Sequence, residues 1–134
     1  MRVDMRDHPK VREQVHAGLS ALRVQGRQIW GESRHSLDEI VVRLMVGVGD
    51  LARLERDGRP EPVQTVLALD AEPGSIAGQD WGPLLDWEEE LKKELGNIIF
   101  STIRWCDDLG LDVMECLELA IEAQKKFARS ERPR

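Results

Sequence analysis

The chain has 134 residues, of which 41% are hydrophobic and 33% charged, and its formal net charge is −6. This length and composition are typical of one soluble globular domain with a core of its own. The acidic balance argues against a nucleic-acid partner, because contacts with a phosphate backbone need a basic face. It is compatible with Mg²⁺, or with a nucleotide that binds through Mg²⁺.

The sequence also bears on where the protein works. No apolar run approaches the length of a membrane span, and the first residues, MRVDMRDHPK, lack the apolar core of a signal peptide. Cys106 and Cys116, the only cysteines, lack metal-ligand spacing, so we interpret them as small buried hydrophobes. These features predict a cytoplasmic protein without a membrane partner.

Two helices are predicted in the first half of the chain. The first covers about residues 9–29, where apolar side chains recur at helical spacing. The second follows a capping box, Ser36-Leu37-Asp38-Glu39, and ends near Arg56. Gly47 and Gly49 inside it together cost about 2 kcal/mol relative to alanine, a cost that close helix packing usually explains. One face of this helix carries Leu37, Ile40, Val41, Leu44, Val48 and Leu51.

Two further helices are predicted in the second half. Asp86 is interpreted as the cap of the third, which runs to about Asp108. Gly110 fits the left-handed position after a helix, and Asp112 with Glu115 forms a second capping box. We expect the third helix to bury the stripe Leu91, Leu95, Ile98, Thr102 and Cys106. The predicted class is all-α, with roughly four helices in one domain over residues 1–134 and a tail at 130–134.

Residues 57–86 are predicted to be an irregular insertion between the second and third helices. Four prolines and four glycines mark turns there. Val63, Val66, Leu67 and Leu69 suggest one short helix within it. The segment can be interpreted as a cover for a site, as part of an oligomer interface, or as a loose excursion.

Three short motifs in the second half carry a resemblance to a known family. They are Glu94-Leu95-Gly96-Asn97, Leu109-Gly110-Leu111-Asp112, and Lys125-Lys126 with Arg129. In them the chain resembles the MazG-like nucleotide pyrophosphohydrolases, which belong to the all-α NTP pyrophosphatase superfamily. Upstream, Leu44 to Leu51 is similar to the family's Leu-x-Glu-Glu-Val-Gly-Glu-Leu without its two central glutamates. The resemblance covers about residues 20–56 and 87–129.

The resemblance implies a fold, an activity and an assembly. The fold is a four-helix, MazG-like bundle, and the activity is Mg²⁺-dependent hydrolysis of a nucleoside triphosphate to the monophosphate and pyrophosphate. Family members hold the metal with an E-x-x-E pair on one helix and an E-x-x-D pair on the next. Four oxygen ligands on one wall suit Mg²⁺, which orients the phosphates and activates water. A homodimer or homotetramer is also implied.

The metal positions of the family correspond here to Gly47, Asp50, Glu94 and Asn97. Gly47 has no side chain and Asn97 offers only a neutral oxygen, so two of the four carboxylates are absent. The candidate metal ligands are therefore Asp50, Glu94 and Asn97, and we expect Mg²⁺ to bind much more weakly. Without the resemblance, Asp50 and Glu94 would be interpreted as acids on the solvated edges of their helices. For Asn97, a weakened metal ligand and an interhelical hydrogen-bonding group are equally good interpretations.

Several other residues are candidates for the same site. Glu90, one turn before Glu94, and Glu55 are substitute carboxylates, and Arg43 can place a positive charge near Gly47. The resemblance implies phosphate contacts for Lys125, Lys126 and Arg129, which otherwise serve as favourable charges at a helix C-terminus. The tryptophans are interpreted as core or interface residues, with base stacking as the alternative. The histidines lack ligand spacing and are interpreted as surface residues: His8, His16 and His35.

Three functions compete at this point. The first is a working Mg²⁺-dependent pyrophosphohydrolase that uses Asp50, Glu94 and a third acid such as Glu90. The second is a relative without activity that serves as a nucleotide-binding or regulatory module. The third is a helical oligomer whose function lies at its interface. The loss of two metal carboxylates favours the second over the first.

Overall fold

A computed structural model describes residues 8–64 and 79–131 of the chain. In these ranges four helices are present: α1 (Pro9–Trp30), α2 (Leu37–Asp57), α3 (Gly82–Asp108) and α4 (Val113–Glu131). Strands β1 (Val63–Gln64) and β2 (Gln79–Asp80) have two residues each and pair antiparallel, with Val63 opposite Asp80. The predicted all-α class is confirmed. None of the described helices has the length and apolarity needed to cross a membrane.

Both predicted capping boxes begin helices. Before α2, the Ser36 hydroxyl and backbone N–H donate to Glu39 Oε1 over 2.9 and 3.3 Å. Before α4, Asp112 Oδ1 accepts the N–H of Met114 at 3.0 Å. Glu39 and Asp112 each accept one backbone N–H at the start of a helix, whereas the Ser36 hydroxyl bonds to Glu39 rather than to the backbone. The two N-terminal boundaries predicted from the sequence are therefore confirmed.

The turn between α3 and α4 is built on one left-handed glycine. Gly110 has φ of 71°. Its N–H donates to Asp107 O at 3.0 Å, and the N–H of Leu111 donates to Cys106 O at 2.8 Å. This pair of bonds satisfies the last carbonyls of α3 and stops the helix. The predicted position of Gly110 is confirmed.

The predicted start of α3 is wrong. The helix begins at Gly82 rather than after Asp86, because Asp80 Oδ1 accepts the Gly82 N–H at 2.9 Å. Pro83, which the sequence analysis interpreted as a turn residue, instead occupies the first helical turn, where its missing N–H costs nothing. The irregular segment therefore ends before residue 82. Of the suggested short helix, Val63 lies in β1, and the other three residues, Val66, Leu67 and Leu69, lie outside the described residues.

The chain divides into two compact units. The first unit comprises residues 1–40 and 99–134, and its buried apolar side chains are Ile40, Ile103, Trp105 and Met114. The second unit comprises residues 41–98, and its buried apolar side chains are Leu54 and Leu84.

The apolar stripe predicted along α3 is only partly buried. Leu91, Ile98 and Cys106 are half-buried, as are most of their neighbours on that face. Leu95 is 45% exposed and Thr102 is also exposed, so the prediction of burial is wrong for these two. Helical spacing identified the face, but burial also requires a partner surface along the whole face.

Candidate functional site

The candidate site lies in the second unit, where α2 and α3 pack along a contact that we name the α2–α3 seam. An ideal Cβ on Gly47 would lie 3.2 Å from Cγ1 of Ile98. Further along, the indole N–H of Trp87 donates to Leu54 O at 3.2 Å. Residue numbers rise on α2 as they fall on α3, so the two helices are antiparallel here. The seam is thus defined by Gly47, Leu54, Trp87 and Ile98.

This register places Asp50 and Glu94 at the same level of the seam. Asp50 follows Gly47 by three residues and precedes Leu54 by four, while Glu94 precedes Ile98 by four. Residues three or four apart share a helix face, so we infer that both residues lie on the faces that meet. Both residues are half-buried. Among the described residues, neither carboxylate has a salt bridge or a side-chain hydrogen bond.

The other two family metal positions do not complete a four-ligand wall. The space beside Gly47 is occupied by the side chain of Ile98. Asn97 is exposed, and it makes no hydrogen bond within the described part of the chain. No group of three or more histidine, cysteine or acidic residues that could hold a metal ion is found in residues 8–64 and 79–131. Of the four family positions, Asp50 and Glu94 are therefore the two that carry a carboxylate.

The residues predicted to substitute for the missing metal ligands are either paired with another side chain or exposed. Glu90 pairs with Lys93 at 2.8 Å, and the hydrogen bond and charge of Lys93 lower the pKa of Glu90, with a smaller contribution from Arg53 on α2. Glu90 is therefore already neutralised by cations. Glu55 and Arg43 are exposed on α2.

The predicted phosphate-binding residues lie on α4. Lys125 is half-buried, whereas Lys126 and Arg129 are exposed. Arg129 lies in the last turn of α4, where a positive charge complements the helix dipole. All three belong to the first unit, whereas Asp50 and Glu94 belong to the second.

The first unit contains a charged network that the sequence analysis missed. Arg27 donates to Asp107 Oδ2 from Nε at 3.0 Å and from Nη2 at 2.7 Å, and it also bonds to Asp108. The backbone N–H of His35 donates to Asp108 Oδ2 at 3.1 Å, and His35 Nδ1 lies 3.1 Å from the same oxygen. The Asp108 side chain is completely buried. This network ties the α1–α2 connection to the end of α3.

Electrostatics keep the buried Asp108 ionised. Burial acts to raise the pKa of its carboxyl, but hydrogen bonds from His35 and Arg27 outweigh burial and hold that pKa below its ordinary value. The interpretation of His35 as a surface residue is wrong, because its side chain is 12% exposed and bonds to Asp108. A signal was present in the sequence. Two aspartates at the end of α3 oppose the helix dipole and therefore require cationic partners.

The tryptophans have mixed surroundings. Trp105 is buried and Trp87 is half-buried, whereas Trp30 and Trp81 are exposed. The guanidinium of Arg104 lies over the Trp30 ring, 5.3 Å from its centroid, which is a favourable cation–π geometry. Trp30 and Trp81 are therefore not core residues of this chain, and their interpretation as interface residues stays a prediction.

The two cysteines are free thiols in the first unit. Both are half-buried rather than fully buried. Burial, with the neighbouring Cys116 thiol, raises the pKa of Cys106 to about 11. Cys106 is therefore protonated and weakly nucleophilic near neutral pH.

Comparison of the chain with protein-family models, with curated proteins and with solved structures found no match in any of the three. The arrangement of the residues themselves therefore carries the functional argument.

Proposed function

We propose that this protein is a MazG-like nucleoside triphosphate pyrophosphohydrolase whose catalytic activity is weakened or lost. The proposal is supported by Asp50 and Glu94, which are half-buried and whose spacing from Gly47 and Ile98 predicts that they share one level of the α2–α3 seam. These are the two family metal positions at which this chain still has an acid. The other two positions, Gly47 and Asn97, support the expected loss of activity, because Ile98 fills the space beside Gly47 and Asn97 is exposed.

Asp50 and Glu94 would hold Mg²⁺, and the ion would supply charge compensation for the phosphates of a nucleoside triphosphate. Two carboxylates in place of four give the ion a weaker site. The polypeptide then contributes binding and orientation of the nucleotide more than turnover. We propose that this role is exercised in the cytoplasm, consistent with the free cysteines.

Release of pyrophosphate from a panel of ribo- and deoxyribonucleoside triphosphates, with Mg²⁺ or Mn²⁺, tests this proposal. We expect little or no turnover. Any metal-dependent turnover should disappear in Glu94→Gln and persist in Glu89→Gln, since Glu89 is an exposed acid on the same helix.

Binding is then measured by thermal shift. We expect a nucleotide with Mg²⁺ to raise the Tm of the wild-type chain but not that of an Asp50→Asn, Glu94→Gln double variant. If the wild-type protein shows neither turnover nor a metal-dependent shift in Tm, the proposal is wrong.

A second candidate function, a non-catalytic helical oligomer, is favoured by the surface of α2. One side of this helix, which we name the α2 apolar face, exposes four apolar side chains. They are Val41, Leu44, Met45 and Val48, whose exposed fractions are 49%, 39%, 67% and 58%. Monomeric proteins seldom expose a contiguous apolar surface of this kind. Spacings of three and four residues are those of helices that pair with a copy of themselves. A homodimer or homotetramer would cover this face.

A further inference from the structure

A surface cavity lined by arginines lies in the first unit, and none of its residues belongs to the α2–α3 seam. The cavity has a volume of about 410 Å³, which is within the range of small-molecule sites. Three arginines line it, together with one apolar side chain, Val24. A wall of this composition suits a small charged ligand rather than an apolar one. The arginines are Arg23, Arg27 and Arg34.

The three arginines differ in how far their N–H groups are already used. Arg27 donates to Asp107 and Asp108 from one edge, and its Nη1 donates to Ser33 O at 3.2 Å. Its guanidinium is thus held in place, and its charge is used by two carboxylates. Arg27 therefore lines the cavity as a fixed side chain rather than as a free donor.

Arg23 and Arg34 keep N–H groups available. Arg23 is 52% exposed, and its contact with Asp107 Oδ1 is long, at 3.7 Å. Arg34 is exposed and donates from Nη1 to the backbone carbonyl of Asp107. Each guanidinium has five N–H donors, so most donors of both residues have no partner among the described residues.

The unused N–H donors of the cavity suit an anion. The lining contains three arginines together with Asp107 and Glu32, and Asp108 also pairs with Arg27. Three positive charges therefore meet three carboxylates, so this region is close to neutral, whereas the whole chain carries a net charge of −6. A tetrahedral dianion can accept parallel hydrogen bonds from two guanidinium groups at once.

We propose that this cavity binds the phosphate group of a small phosphorylated molecule, with the N–H groups of Arg23 and Arg34 as its ligands, while Arg27 holds Asp107 and Asp108. The site requires no metal ion. All its residues belong to the first unit, so it is separate from Asp50 and Glu94.

Calorimetric titration with inorganic phosphate, pyrophosphate and adenosine monophosphate tests the proposal, at constant ionic strength and in the presence of EDTA. We expect saturable binding of at least one probe. Arg23→Gln with Arg34→Gln should weaken it by about tenfold or more, the loss of about 1.4 kcal/mol. Arg12→Gln is the matched control, because Arg12 lies on the same helix, is 46% exposed and pairs with Glu118.

The outcomes separate the ligand sources and the two proposed sites. Tighter binding of inorganic phosphate or pyrophosphate indicates a free phosphate ligand, and tighter binding of the monophosphate indicates a phosphate ester. Absence of saturable binding, or unchanged binding in the double arginine variant, overturns the proposal. Metal-free binding that is lost in the Asp50→Asn, Glu94→Gln variant also overturns it, because the ligand would then lie at the α2–α3 seam.

Discussion

Asp108 is the residue whose surroundings have the clearest energetic consequence. Its carboxylate is completely buried and depends on Arg27 and His35 for all the hydrogen bonds described for it. A buried ion is stable only while its partners remain, so removing its charge leaves Arg27 less compensated. The side chain therefore makes folding sensitive both to mutation and to acid.

We expect Asp108→Asn to lower the free energy of unfolding by about 2 to 3 kcal/mol near neutral pH. The folded-state pKa of Asp108 lies below its ordinary value of 3.8. Its stabilising contribution is therefore fully present above that value and is lost as the pH falls through the lower folded-state pKa. Urea unfolding of both proteins, at neutral pH and at a pH well below 3.8, measures the difference, which should shrink in acid.

Asp57→Asn is the matched control for this prediction. Asp57 is 56% exposed and its contacts with Arg53 and Arg56 are 4.0 Å long, so its loss should change stability little. Equal effects of the two substitutions, or a pH-independent effect at Asp108, would contradict the electrostatic explanation.

At the scale of the helix, α2 contains two glycines with opposite surroundings. A Cβ on Gly47 would meet Ile98 Cγ1 at 3.2 Å, whereas a Cβ on Gly49 would meet nothing within 4 Å. Both residues are interior to α2, where alanine is intrinsically favoured over glycine. The packing of α2 against α3 therefore gives a reason for Gly47 but none for Gly49.

We expect Gly49→Ala to raise the free energy of unfolding by about 0.5 to 1 kcal/mol through helix propensity alone. Gly47→Ala should yield a smaller gain or a loss, because Ile98 must move. Chemical unfolding of the two variants side by side measures the difference. Equal gains would mean that α2 and α3 do not approach each other closely at Gly47.

The sequence predicted those helix features that depend on neighbouring residues. The capping residues Ser36 and Asp112 and the left-handed Gly110 form hydrogen bonds with residues only a few positions away. The local sequence is therefore enough to predict their effects. Pro83 misled the prediction of the start of α3, because proline suits both a turn and a first helical turn. His35 was missed because its partner, Asp108, is 73 residues away along the chain.

The candidate site was predictable only in part for the same reason. Helical spacing and the family resemblance predict Asp50 and Glu94 as site residues, and the antiparallel register of α2 and α3 agrees with a shared level for the two, which stays a prediction. The exposure of Asn97 and the filling of the space beside Gly47 by Ile98 depend on how α2 and α3 pack. No pattern within either helix encodes that packing.

At the scale of the whole molecule, the α2 apolar face is the feature that a single chain leaves unexplained. Between Ile40 and Gly49 the only charged residue is Arg43. Stable association of two proteins buries about 800 Å² on each partner, and its centre is usually depleted of charge. The α2 apolar face has the composition of such a centre.

We therefore expect the protein to sediment as a dimer or larger oligomer at micromolar concentration. Val41→Lys with Met45→Lys should shift it toward the monomer, because burying two charges against a copy of the same face is costly. Leu119→Lys is the matched control, since Leu119 is 62% exposed but lies on α4. A wild-type protein that sediments as a monomer would leave the α2 apolar face without this role.

The two described methionines differ in how easily an oxidant can reach them. Met45 is 67% exposed on α2, whereas Met114, in the first turn of α4, is 1% exposed. Peroxide converts accessible thioethers to polar sulfoxides, so in a monomer Met45 is the more readily oxidised of these two methionines. In an oligomer that buries the α2 apolar face, the Met45 sulfur would be shielded until the subunits dissociate. A polar sulfoxide at Met45 would then oppose reassociation, so oxidation would favour the dissociated subunits.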